Sequence, residues 1–72
     1  MRKRSLTIGG HPTSITLEEP FWEELIAIAE ARSLSLSALV AEVDGQRPGP
    51  GNLTSALRLY VVEALKRKIS RV

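Results

Sequence analysis

Three consecutive cations, Arg2, Lys3 and Arg4, stand ahead of a hydroxyl-bearing stretch, Thr13-Ser14-Ile15-Thr16-Leu17. Guanidinium and ammonium groups neutralise phosphates, and serine and threonine hydroxyls donate to phosphate oxygens or base edges. With His11 and Pro12 between the two segments, the candidate nucleic-acid contacts are Arg2, Lys3, Arg4, His11, Pro12, Ser14 and Thr16. A basic triplet is also an ordinary solubilising tail, and its place ahead of the hydroxyl stretch is what favours contact. Ser14 and Thr16 serve equally well as a plain polar strand face. No enzyme is expected, because the chain offers no nucleophile–base–acid set and Gly9-Gly10 alone makes no phosphate loop. His11 is the only histidine and has no second histidine, cysteine or acid at ligand spacing, so neither a metal nor a cofactor is expected.

The elements that must position these residues belong to a chain of 72 residues, one domain, whose core is near break-even on its own. Oligomerisation is therefore expected. Without cysteines there is no disulfide framework, which favours a cytoplasmic location. The basic N-terminus leads into Leu6-Thr7-Ile8-Gly9, too short for a signal-peptide apolar region, and no run approaches the roughly 18 apolar residues of a membrane span. The net charge of +2 is unevenly spread: +3 over Arg2 to Arg4, then Arg32 alone against seven acidic residues from Glu18 to Asp44, then six basic residues against Glu63 from Arg47 onward. Acids in the middle segment must face away from any nucleic acid.

Alternation over residues 13–17 reads as a short half-buried strand, with Thr13, Ile15 and Leu17 on one face and Ser14 and Thr16 on the other. A lone strand leaves its N–H and C=O groups unpaired, and a second copy of the chain is the simplest donor. Ser5 to Ile8 offers a candidate second strand, followed by a turn at Gly9-Gly10. Phe21, Leu25, Ile28 and Ala29 recur at helical spacing, flanked by Trp22, a core residue by its spacing, and by Ile26. Thr16-Leu17-Glu18-Glu19 has the form of a capping box and Pro20 suits the first turn. Ser33 to Ser35 interrupts the pattern; Ser35 or Ser37 then caps a second helix with Leu36, Leu39, Val40 and Val43 apolar. Residues 45–51 form a Pro/Gly turn, and Asn52 caps a third helix over 52–70 with a long apolar stripe and Lys66-Arg67-Lys68 in its last turns.

Thr13 to Leu17, Phe21 to Ala29 and Ser35 to Val40 together resemble a ribbon-helix-helix domain, the fold of the Arc and methionine repressors, over residues 12–44 with a basic arm at 1–11. The resemblance implies a mainly α fold with one short strand per chain, an intertwined homodimer with an intermolecular antiparallel ribbon, and insertion of that ribbon in the DNA major groove. It implies a dimer core of Thr13, Ile15, Leu17, Phe21, Leu25, Ile28, Leu39 and Val40, an outer ribbon face of Pro12, Ser14 and Thr16, and phosphate contacts at Ser35 and Ser37. Gly10-His11-Pro12-Thr13-Ser14 and the third helix are similar to a small bacterial subset of the family. Where the family often carries glycine between its helices, this chain has Ser33. The expected function is a repressor-like transcriptional regulator of double-stranded DNA. The second reading is an adaptor that keeps the dimer but binds a protein through the third helix.

Overall fold

The computed structural model describes residues 1–46 and 52–69. Its elements are strands β1 (Arg2–Ile8) and β2 (His11–Leu17), then helices α1 (Glu19–Ala31), α2 (Leu36–Gly45) and α3 (Leu53–Ile69). Most of the expected Pro/Gly turn, residues 47–51, and the expected end of the third helix at residue 70 lie outside the described residues.

The expected strand is present and longer than the alternation over 13–17 indicated, but its partner differs. β2 pairs antiparallel with β1 of the same chain, from Arg2 opposite Leu17 to Ile8 opposite His11, so each chain carries two strands, not one, and residues 2–8 are a strand and not a free arm. Gly9 and Gly10 close the hairpin with φ of +58° and +83°. Positive φ at both central residues is the demand of a type I′ turn, which glycine meets without steric cost. Leu6 and Ile8 continue the inward phase back to Arg4 and Arg2; as arginines these read as tail charges in the sequence although they alternate like strand residues.

The helices cover one face of this hairpin. Ile8, Ile15, Leu17, Trp22, Leu25, Ala29, Leu39, Val40, Val43, Leu57 and Val61 are buried together. On α1 the core side is centred on Trp22, Leu25 and Ala29, one position from the expected centre, so Phe21 and Ile28 are half-buried at its margin, as is Thr13 on β2. Thr16 does not cap α1. It stays in β2, and the N-cap is Glu18, which makes no side-chain cap bond; its carbonyl accepts from the N–H of Phe21 at 3.0 Å and of Trp22 at 3.2 Å.

The turn after α1 is closed by the Leu34 N–H donating to the Ala29 carbonyl at 2.8 Å, and it forces Ser33 to a φ of +57°. Ser35 Oγ accepts from the Ala38 N–H at 3.1 Å, capping α2, and Asn52 Oδ1 accepts from the Thr54 N–H at 2.9 Å, capping α3. A left-handed conformation costs a non-glycine residue about 1–2 kcal/mol, partly offset by the extra unfolded-state entropy of glycine. Ser33→Gly is therefore expected to stabilise the domain by about 1 kcal/mol, a rise in melting temperature of about 4–8 °C, and Ser33→Val to lower it, both read by thermal denaturation followed by circular dichroism.

Candidate nucleic-acid interface

Residues opposite one another in an antiparallel ladder share a face. Lys3 lies opposite Thr16, Ser5 opposite Ser14 and Thr7 opposite Pro12, and all six side chains are exposed on the face turned away from the helices. That face holds four hydroxyls, one proline ring and one ammonium, and no carboxylate. The other face carries Arg2, Arg4, Leu6, Ile8, His11, Thr13, Ile15 and Leu17.

The basic triplet is thus divided by the strand. The guanidinium of Arg2 donates to the Glu19 carboxylate at 3.2 Å. Arg4 is half-buried with its guanidinium over the Trp22 ring, 5.6 Å from the centroid, a cation–π contact, and its Nε is buried without a hydrogen-bond partner. Only Lys3 of the three projects from the outer face. His11 sits at the exposed hairpin tip on the helix-side phase, its carbonyl accepting from Thr13 Oγ1 at 3.5 Å. Pro12, Ser14 and Thr16 stand together as expected, while Ser5 and Thr7 join them without having been singled out. Their alternation with Leu6 and Ile8 was the available signal.

Pro12 also fixes the phase of the open edge. Proline donates no N–H, so within a sheet it sits where its nitrogen faces away from the partner strand. By the alternation of antiparallel bonding, Ser14 and Thr16 then turn their own N–H and C=O groups the same way, toward the unpaired edge of β2. At the second helix, the Ser35 hydroxyl is committed to its cap, and Ser37 is half-buried. The first-turn N–H groups of Leu36 and Ser37 have no intrahelical acceptor by helix geometry.

Two acids of the middle segment, Glu18 and Glu42, are tied into the helical layer. Glu18 receives a fork from Arg58 of α3, Nε to Oε1 at 3.0 Å and Nη2 to Oε2 at 3.1 Å. Arg32 forks onto Glu42, with Nη2 to Oε1 at 3.0 Å, and also reaches the Tyr60 hydroxyl at 3.3 Å. The Glu18 carboxyl is held below its ordinary value first by its own backbone N–H and then by Arg58, and Arg32 lowers Glu42 in the same sense. A shallow groove of about 160 Å³ between α1 and α3 is lined by Glu24, Ala27, Ile28, Ala31, Ala64, Leu65 and Lys68. It is smaller than a typical small-molecule site. Among the described residues no three potential metal ligands cluster, and no helix is long and apolar enough to cross a membrane.

The family described as the ribbon-helix-helix domain matches residues 1–65. No curated protein and no solved structure matches the chain.

Both lowered carboxyls stabilise the fold while ionised. Their contribution is complete above the ordinary value of 4.5 and is lost as the pH falls through the lowered folded values. The melting temperature is expected to be level from neutrality to about pH 5 and to fall below that. Glu18→Gln and Glu42→Gln should each lower it at pH 7 and flatten the acid limb, as measured by thermal scans across pH.

Proposed function

The chain belongs to the ribbon-helix-helix family, whose domains are in general dimeric, non-enzymatic, DNA-binding transcriptional regulators, and on that premise we propose that this protein is a homodimeric regulator presenting the outer face of its hairpin to double-stranded DNA. The observation that carries the reading is the division of the sheet: one face packed on the helices through Ile8, Ile15 and Leu17, the other exposed, free of carboxylates and set with Lys3 and four hydroxyls.

Two copies join through the open β2 edges, Ser14 and Thr16 exchanging backbone hydrogen bonds across a two-fold axis. The resulting sheet runs β1, β2, then β2 and β1 of the second copy. Adjacent strands are about 4.8 Å apart, so four strands span about 14 Å before side chains are added. A major groove about 12 Å wide accepts the central pair alone. Pro12, Ser14 and Thr16 then meet base edges, while the outer β1 strands ride on the rims, where Lys3, Ser5 and Thr7 meet phosphates and the α2 N-termini add backbone N–H donors. The central side chains are short and include no bidentate donor, so discrimination rests on shape and hydroxyl contacts more than on forked base pairing. A repressor-like role in the cytoplasm completes the reading.

Fluorescence polarisation of a random-sequence duplex across a salt series tests it. Salt-sensitive binding is expected, and Lys3→Ala should reduce the magnitude of the log–log slope by roughly 2 per dimer, one phosphate per chain. Arg4→Ala should leave the slope unchanged and instead lower stability by about 1 kcal/mol through loss of the Trp22 contact. A folded protein that binds no duplex at low salt would overturn the proposal.

A further inference from the structure

The outer face of β2 presents the ring of Pro12, the hydroxyl of Ser14 and the hydroxyl and methyl of Thr16, all exposed. Thr7, opposite Pro12 on β1, adds a further hydroxyl and methyl at that end of the face. A hydroxyl both donates and accepts, so it bonds the edge of either kind of base pair. The forked donors that single out guanine, and the amides that single out adenine, are missing from this face of β2, which carries no arginine, lysine, asparagine or glutamine. Its apolar groups are therefore the part that can tell one base from another.

The C5-methyl of thymine is the apolar group that base edges offer in the major groove. A proline ring or a threonine methyl laid against it shields apolar surface from water at no cost in hydrogen bonds. The same ring laid on the guanine N7 and O6 or the cytosine amino group displaces water and returns no partner, because proline carries no donor. Pro12 and Thr16 stand on either side of Ser14 along one strand face, so each β2 holds an apolar group at both ends of its polar centre.

We infer that this face selects thymine, the Pro12 ring and the Thr16 methyl meeting C5-methyl groups in the major groove, and that it favours A·T over G·C pairs for that reason. The inference rests on the reading of the outer face as the DNA-facing one and adds the class of base that is read.

Fluorescence polarisation of the full-length protein at one salt concentration, with duplexes of equal length, tests it. Alternating dA–dU differs from alternating dA–dT only in lacking the C5-methyl, and alternating dG–5-methyl-dC places that methyl on a G·C pair. A buried methyl is worth about 0.8 kcal/mol, or about 4-fold in Kd, so one contact per chain should make dA–dT bind roughly 15-fold tighter than dA–dU. Methylated dG–dC should likewise bind tighter than its unmethylated form. Thr16→Ser, which keeps the hydroxyl and removes the methyl, and Pro12→Ser, which removes the ring, should each shrink the dT-to-dU ratio, whereas Thr16→Val, which keeps a methyl and removes the hydroxyl, should preserve it. Circular dichroism verifies that each variant is folded. Salt-sensitive binding with equal affinity for dA–dT and dA–dU overturns thymine selection and leaves the DNA reading standing. A preference for A·T over G·C that uracil does not weaken belongs to groove shape and overturns it as well. A dT-to-dU ratio that neither Thr16→Ser nor Pro12→Ser moves overturns the assignment to these residues. Binding to no duplex overturns both readings.

Discussion

The whole outer face of the hairpin depends on how Trp22 seats it on the helices. Its side chain is 0% exposed, and its indole N–H donates to the Arg2 carbonyl at 2.8 Å. A buried indole N–H without an acceptor would cost about 1–3 kcal/mol, so the bond fixes both the depth of α1 and the position of the first residue of β1. Arg4, two residues along, is drawn onto the ring of the same tryptophan. Because side chains alternate along a strand, seating Arg2 and Arg4 on the helix side leaves Lys3, Ser5 and Thr7 no choice but the other side. One buried aromatic thus settles which of three adjacent cations is available to a ligand.

Three of the acids are paired by the surrounding elements. A central segment with seven carboxylates would repel a polyanion if it faced one. Here Glu18, Glu19 and Glu42 are held by Arg58, Arg2 and Arg32, partners drawn from α3, β1 and the end of α1. Exposed pairs of this kind add little stability individually. Their larger effect is on the field: they occupy arginines that would otherwise be free cations and leave the outer sheet face with a single ammonium. A face so sparsely charged and so rich in short hydroxyls suits close approach to a sugar–phosphate wall more than forked recognition of individual bases.

Helix α3 is structural as well as peripheral. Leu57 and Val61 complete the core beneath β2, and Arg58 and Tyr60 reach the ion pairs at either end of α1. Its outward Leu59, Val62 and Leu65 leave part of the hydrophobic surface of the single chain exposed.

Several features were legible in the residues alone. The three helices follow from apolar spacing, Asn52 and the pair Ser35 or Ser37 from the need of a helix start for a side-chain acceptor, and the inward set Ile15, Leu17, Leu25, Leu39 and Val40 from alternation and periodicity, because these are local consequences of backbone geometry. Family membership over residues 1–65 agrees with the resemblance carried by the strand–helix–helix order. What local pattern does not contain is which strand pairs with which. Arg2 to Arg4 reads as a tail because charge outweighs alternation in a three-residue window, and its pairing with residues 15–17 shows that it is strand. Thr16 and Glu18 both fit a cap, and the extent of β2 chose between them. The sequence by itself determined the elements, their order and their apolar faces; the tertiary structure alone decided that β1 and β2 pair within one chain, that Lys3 and four hydroxyls share its outer face and that Arg2 and Arg4 do not, because pairing and seating are contacts between residues far apart in the chain.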